Sequence, residues 1–166
     1  MIIMKKWRKI EKKVLSEMAK ASCMEWKNKT ITCFVVNYCA NSFSFPLTIK
    51  IRKRDGLKRI DDMVDTLVHE LIHVLFGMNK VYLLNEKLGM KSEFRNESRV
   101  TKNHIYLHAL HNYLYLKLFS RKRLEKDIAS SPYRVRSGYA RAWEIVEQYG
   151  YENLLNRLRD AAKKSR

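Results

Sequence analysis

Apolar positions recur along this chain with two different periods, and the changes of period mark its elements. Trp7, Ile10, Val14, Met18 and Ala21 repeat three or four residues apart, so residues 3–22 are predicted to form an amphipathic helix with a basic outer face. "NKTITCFVVNY", residues 28–38, is β-branched and aromatic and reads as a mostly buried strand. "LTIKIRKR" then alternates, with Leu47, Ile49 and Ile51 on one side and Thr48, Lys50 and Arg52 on the other. That is a half-exposed strand, and Pro46 at its start suits a sheet edge. Asp55-Gly56 marks a turn.

A helix is expected next, from Leu57 to Phe76. Ile60, Met63, Val64, Leu67, Val68, Leu71, Ile72 and Leu75 cover most of its circumference, which makes it central and deeply buried. Asp61, Asp62 and Asp65 fall in its early turns, where the helix dipole favours negative charge, and Gly77 is a natural stop. Residues 78–92 read as a loop with one short helix. A second long helix is predicted over 93–119, with 121–129 extending it or standing apart. Ser131-Pro132 breaks the chain, Tyr139–Tyr149 is helical with Gly150 as a stop, and a basic helix follows. The expected class is α+β: a small mixed or antiparallel sheet whose edge strand precedes a buried helix, then a mostly helical C-terminal half.

Composition narrows the class without naming a function. The 166 residues, 46% hydrophobic and 31% charged, suffice for one domain with its own core and are too apolar for disorder. Residues 1–25 would form the basic helix, 26–160 the core and 161–166 a basic tail. No apolar run approaches the roughly 18 residues of a membrane span. "MIIMKKWRKIEKK" lacks the apolar region and cleavage site of a leader, so a cytoplasmic location is expected. Cys23, Cys33 and Cys39 are odd in number and without metal-type spacing, which favours reduced thiols. The net charge of +17 would attract nucleic acid, anionic membranes or acidic substrates, or serve solubility alone.

The candidate chemistry lies in "HELIH", inside the most apolar helix. His69 and His73, four residues apart, project from one face and can present two imidazole nitrogens to one zinc ion. Glu70 can lean over the open side of that ion and take a proton from its bound water. A dry helix otherwise has no cheap use for three polar groups. The second long helix carries a stripe of Glu97, Thr101, His104, His108 and His111, with Glu93 near its edge, while Arg95, Arg99, Lys102, Tyr106 and Lys117 point away. Glu97 is the preferred third ligand because it is centred on the stripe. Glu93 is the alternative, or only the first helical residue after a Ser92 cap. His104 is the next ligand candidate; with Glu97 on the metal it would donate to an oxyanion or support a ligand from behind. His108 and His111 read as core histidines.

A strand "LTIKI", a "HELIH" helix and a downstream glutamate helix together resemble the gluzincin clan of zinc metallopeptidases, and the small size is similar to its minigluzincins. The likeness covers roughly residues 30–160. It implies a zincin-like fold, one zinc on His69, His73 and Glu97, and Glu70 as general base. It further implies that "LTIKIRKR" borders the cleft, and that Tyr133 or Tyr139 donates to the transition state. The metzincin third histidine is absent, since position 79 is Asn79. The expected function is a zinc metallopeptidase acting on peptides or proteins. The alternative is a basic, nucleic-acid-associated zinc protein, or a protease acting on DNA-bound proteins; the chain has no zinc-finger cysteine pair and no aromatic–basic RNA motif.

Overall fold

The computed structural model describes residues 2–53, 56–130 and 138–164. The predicted first helix is two, α1 (Ile2–Arg8) and α2 (Glu11–Ser22), meeting at Lys9 and Ile10. The apolar spacing survives the break, because Trp7, Val14, Met18 and Ala21 are all buried.

The sheet differs from expectation in its order. β1 (Phe34–Val36) runs parallel to β3 (Leu47–Lys50), and β2 (Phe43–Ser44) pairs with β3 antiparallel, giving the order β1-β3-β2. "LTIK" is therefore the central strand and not an edge, and Thr48 is buried together with Leu47 and Ile49. Phe34 and Phe43 stand in register with Thr48 on either side, and both are themselves well exposed. The 28–38 strand shortens to three residues, exposed to half-buried. Arg52–Lys53 (β4) and Gly56–Leu57 (β5) form a separate two-stranded ladder. Asp55, half of the expected turn, lies outside the described residues.

α3 (Ile60–Met78) lies against β2 and β3 and is buried over most of its length. Gly77 does not stop it; the helix continues to an Asn79 cap. The lack of a side chain serves a close approach instead, since a Cβ at Gly77 would stand 2.5 Å from Phe45 Cζ. A 3₁₀ turn at Val81–Leu84 and further turns through residue 96 lead to α4 (Arg99–Leu118). This helix starts six residues later than predicted. Its cap is Ser98, not Ser92, with the Thr101 amide donating to Ser98 Oγ at 3.1 Å. Tyr106, expected outside, is buried and donates its hydroxyl to the Leu88 carbonyl at 2.9 Å.

α5 (Arg121–Ser130) is a separate piece, and α6 (Gly138–Tyr149) and α7 (Tyr151–Lys163) pack on α4. The break at Ser131-Pro132 and the candidate Tyr133 lie outside the described residues. The class is α+β with a small mixed sheet. Among the described residues no helix is long and apolar enough to cross a membrane.

Two contacts fix the helices around α3 and α4. Asp65 on α3 is buried, accepts from Arg123 Nε at 2.9 Å and Nη2 at 2.6 Å, and also accepts from the Tyr115 hydroxyl. One carboxylate thus ties α3 to α4 and α5. At the other end, α6 begins directly on the cap of α4. A Cβ on Gly138 would stand 2.8 Å from Val100 Cβ and 2.9 Å from both Ser98 Oγ and the Thr101 nitrogen. Alanine at this position should therefore cost about 1–3 kcal/mol of stability through overpacking, against the sub-kilocalorie gain it brings an open helix. Urea denaturation of Gly138→Ala measures this; a stabilised variant would disprove the close approach.

Candidate metal centre

α3 and α4 cross so that the histidine faces of both meet. The ligand atoms of His69, His73 and His104 lie within 4.8 Å of one another, and this is the metal-capable group among the described residues. The Nε2 atoms of His73 and His104 are 3.2 Å apart. Nitrogens bound tetrahedrally to zinc at about 2.0–2.1 Å are separated by about 3.3 Å, so this pair already has the required spacing. His104 Nδ1 lies 2.7 Å from the Val100 carbonyl, which can only accept. The proton is therefore on Nδ1, and Nε2 turns its lone pair toward His73, the arrangement a ligating histidine needs.

Electrostatics keep the group neutral. Burial, then the neighbouring His73, His104 and His111, holds the His69 pKa well below the usual imidazole value. His73 is lowered to about 3, by burial and then by His104. His104 is lowered by burial, partly offset by its bond to Val100. Neutral imidazoles are the form that binds a metal.

Glu70 stands beside this group on α3, buried, accepting from Ser44 Oγ at 2.5 Å. Its pKa is raised by burial, against the Ser44 bond and the charge of Lys58. A cleft of about 480 Å³ opens over His69 and Glu70; the same cleft is lined by His108, His111, Tyr139 and Trp143, whereas His73 and His104 are not part of its lining. Tyr139 packs on His104 with ring centroids 4.2 Å apart.

The expected third ligand is not in the group. Glu97 precedes the Ser98 cap, so it is not on the helical stripe, and its Oε1 accepts from Arg141 Nε at 3.0 Å and Nη2 at 2.9 Å. Glu93 is held by Arg157 at 2.6 Å. His104 is the residue brought to His69 and His73. His108 and His111 are buried like core residues but also line the cleft, each with its ring centroid 6.0 Å from His69. His108 stacks on Trp143 at 4.1 Å, and His111 on Tyr115 at 4.3 Å. His108 Nδ1 and both nitrogens of His111 lack an aligned hydrogen bond, although His111 Nε2 is 3.2 Å from Asp127 Oδ2. All five histidines of the chain thus share one space.

Sequence reading missed Ser44 and Trp143. Ser44 sits on a two-residue strand too short to show a period; Trp143 is four residues from Tyr139 and its helical spacing was readable. Comparison with known proteins finds no family model, no curated protein and no solved structure that matches the chain.

Burying these imidazoles neutral has a measurable consequence for the metal-free protein. His69, His73, His104 and His108 have folded pKa values below the unfolded value near 6.5. The unfolded chain then binds more protons, so stability is complete above about pH 6.5 and falls as the pH drops. Each histidine contributes a slope of up to about 1.4 kcal/mol per pH unit. Urea melts of the chelator-treated protein should show a loss of several kcal/mol between about pH 7 and 5; a flat profile would contradict the buried neutral cluster.

Proposed function

We propose that this chain is a zinc-dependent peptidase of zincin-like type, with zinc held by His69, His73 and His104. The observation that carries the reading is the convergence of three imidazoles, His69, His73 and His104, of which His69 lines an open cleft together with the buried carboxylate of Glu70. The donor set fits zinc: three imidazole nitrogens, one with its tautomer set by a backbone carbonyl. When bound there, zinc would acidify a water and polarise a peptide carbonyl.

The chain's own groups supply the rest. Glu70 accepts the proton of the attacking water and returns it to the leaving nitrogen, and its raised pKa suits that exchange near neutral pH. Ser44, donating to one carboxylate oxygen, turns the other toward the cleft. Tyr139, packed on His104, is the donor this reading assigns to the developing oxyanion. The ligand set departs from the gluzincin pattern, because Glu97 is committed to Arg141.

Metal analysis and peptide hydrolysis test the assignment together. The wild type should carry one zinc per chain. His69→Ala and His104→Ala should each lose it, whereas Glu97→Ala should keep it; the reverse outcome for the last two would restore glutamate as the ligand. Glu70→Gln should retain zinc while cleavage of a peptide library falls by at least about 100-fold. Equal cleavage by Glu70→Gln and wild type would sink the peptidase reading.

A further inference from the structure

The charge of the cleft is distributed unevenly, and the peptidase reading does not use it. One wall comes from the sheet side and carries Lys50 at the end of β3, Arg52 on β4 and Lys58 just before α3. The lining also carries carboxylates that are already paired. Asp65 accepts from Arg123, Asp62 is 3.6 Å from Lys126 Nζ, and Asp127 is 3.2 Å from His111 Nε2. Glu70 is held by Ser44. On the basic wall Arg52 and Lys50 stand differently. Arg52 is exposed and makes no ion pair among the described residues, and Lys50 Nζ reaches only the Ala40 carbonyl at 3.4 Å. Positive charge is therefore left over on one side of the cleft, next to the proposed reacting groups.

We propose that this basic wall, with Arg52 and Lys50 as its charged groups, is a subsite for a carboxylate of the peptide substrate. The proposal rests on the peptidase reading and names the substrate class that reading leaves open: peptides carrying an acidic side chain, or a free C-terminal carboxylate, on the sheet side of the scissile bond. A cleft of about 480 Å³ is of a size to take a short peptide segment. Two features separate this from the diffuse attraction of a +17 surface. Arg52 and Lys50 are local to the cleft and make no ion pair among the described residues, and the paired carboxylates Asp62 and Asp127 in the same lining offer a continuous polyanion such as nucleic acid no further positive charge. A ligand negative on one side only fits this lining. Charge-assisted contacts with a guanidinium or ammonium group are the strong class of hydrogen bond, and at the mouth of a cleft they are only partly screened.

The test uses the zinc-loaded, full-length Glu70→Gln protein as a binding trap, with fluorescein-labelled peptides of alternating alanine and glycine carrying three glutamates or three glutamines, each with a free or an amidated C-terminus. Anisotropy titrations should show the acidic or free-terminus peptides binding about ten-fold more tightly. Arg52→Glu in the same background should abolish that preference. Lys12→Glu changes net charge by the same amount on an exposed turn of α2 outside the cleft lining, and should leave the preference intact. Loss of preference on amidation identifies the terminal carboxylate as the source; loss on glutamate-to-glutamine exchange identifies the side chain. Equal binding of all peptides overturns the subsite while leaving the peptidase intact, provided that the wild type cleaves them. An equal effect of Lys12→Glu overturns it in favour of a diffuse field. A mixed-sequence single-stranded oligonucleotide that binds more tightly than any peptide, and loses binding with Arg52→Glu, overturns the peptide assignment. A zinc-bound wild type that cleaves none of the peptides removes the peptidase reading and this subsite with it.

Discussion

The contact between α3 and α4 gathers five imidazoles and one carboxylate in or beside the core, and the surrounding elements are arranged to orient those groups. Polar groups without partners in such a place cost several kcal/mol in total. Part of that cost is met inside the protein: the Val100 carbonyl takes His104 Nδ1, Ser44 takes Glu70, and aromatic rings stack on His108 and His111. What is not met points one way. The facing Nε2 atoms of His73 and His104 can share only one proton, whereas a metal ion would accept both lone pairs.

The identity of the third imidazole follows from a chain of steric facts that begins some distance away. Gly138 allows α6 to start directly on the cap of α4. That approach carries Arg141, one turn further along α6, to Glu97. With its carboxylate paired to Arg141 and its backbone outside the helix, Glu97 does not join the histidine group. The next suitable donor along α4 is His104, which is buried and on the inner face. The Asp65–Arg123–Tyr115 contact does the corresponding work at the opposite end, holding α3, α4 and α5 together so that the histidine faces stay in register.

Much of this was readable from the chain, for reasons that differ by element. The α3 helix and its His69, Glu70 and His73 were legible because apolar period and metal chemistry coincide within five residues. The α+β class followed from the change of period. The order of the strands was not legible, since β2 has two residues and β1 three, too few for alternation to show which strand lies between the others. The histidine that joins His69 and His73 was not legible because the residues sharing the inner face depend on whether Ser92 or Ser98 caps α4, and both are serines without a glutamate three residues on. A shift of six residues in that start removes Glu97 from the stripe and leaves His104 on it.

Exchanging a carboxylate for an imidazole changes more than geometry. Three imidazoles are neutral ligands, so an ion held by them would keep its full double charge, whereas a histidine–histidine–glutamate set would leave a single net charge. The adjacent Glu70 would feel the difference most. In the protein alone, burial favours its protonated form. A dication a few ångströms away opposes that burial and favours the carboxylate, which is the form able to take a proton. Burial and a metal's charge would then act on Glu70 in opposite directions, and the Ser44 bond and Lys58 would add to the metal's side. In the proposed site a neutral His104 would leave a metal's charge a stronger counterweight to that burial than a glutamate ligand would.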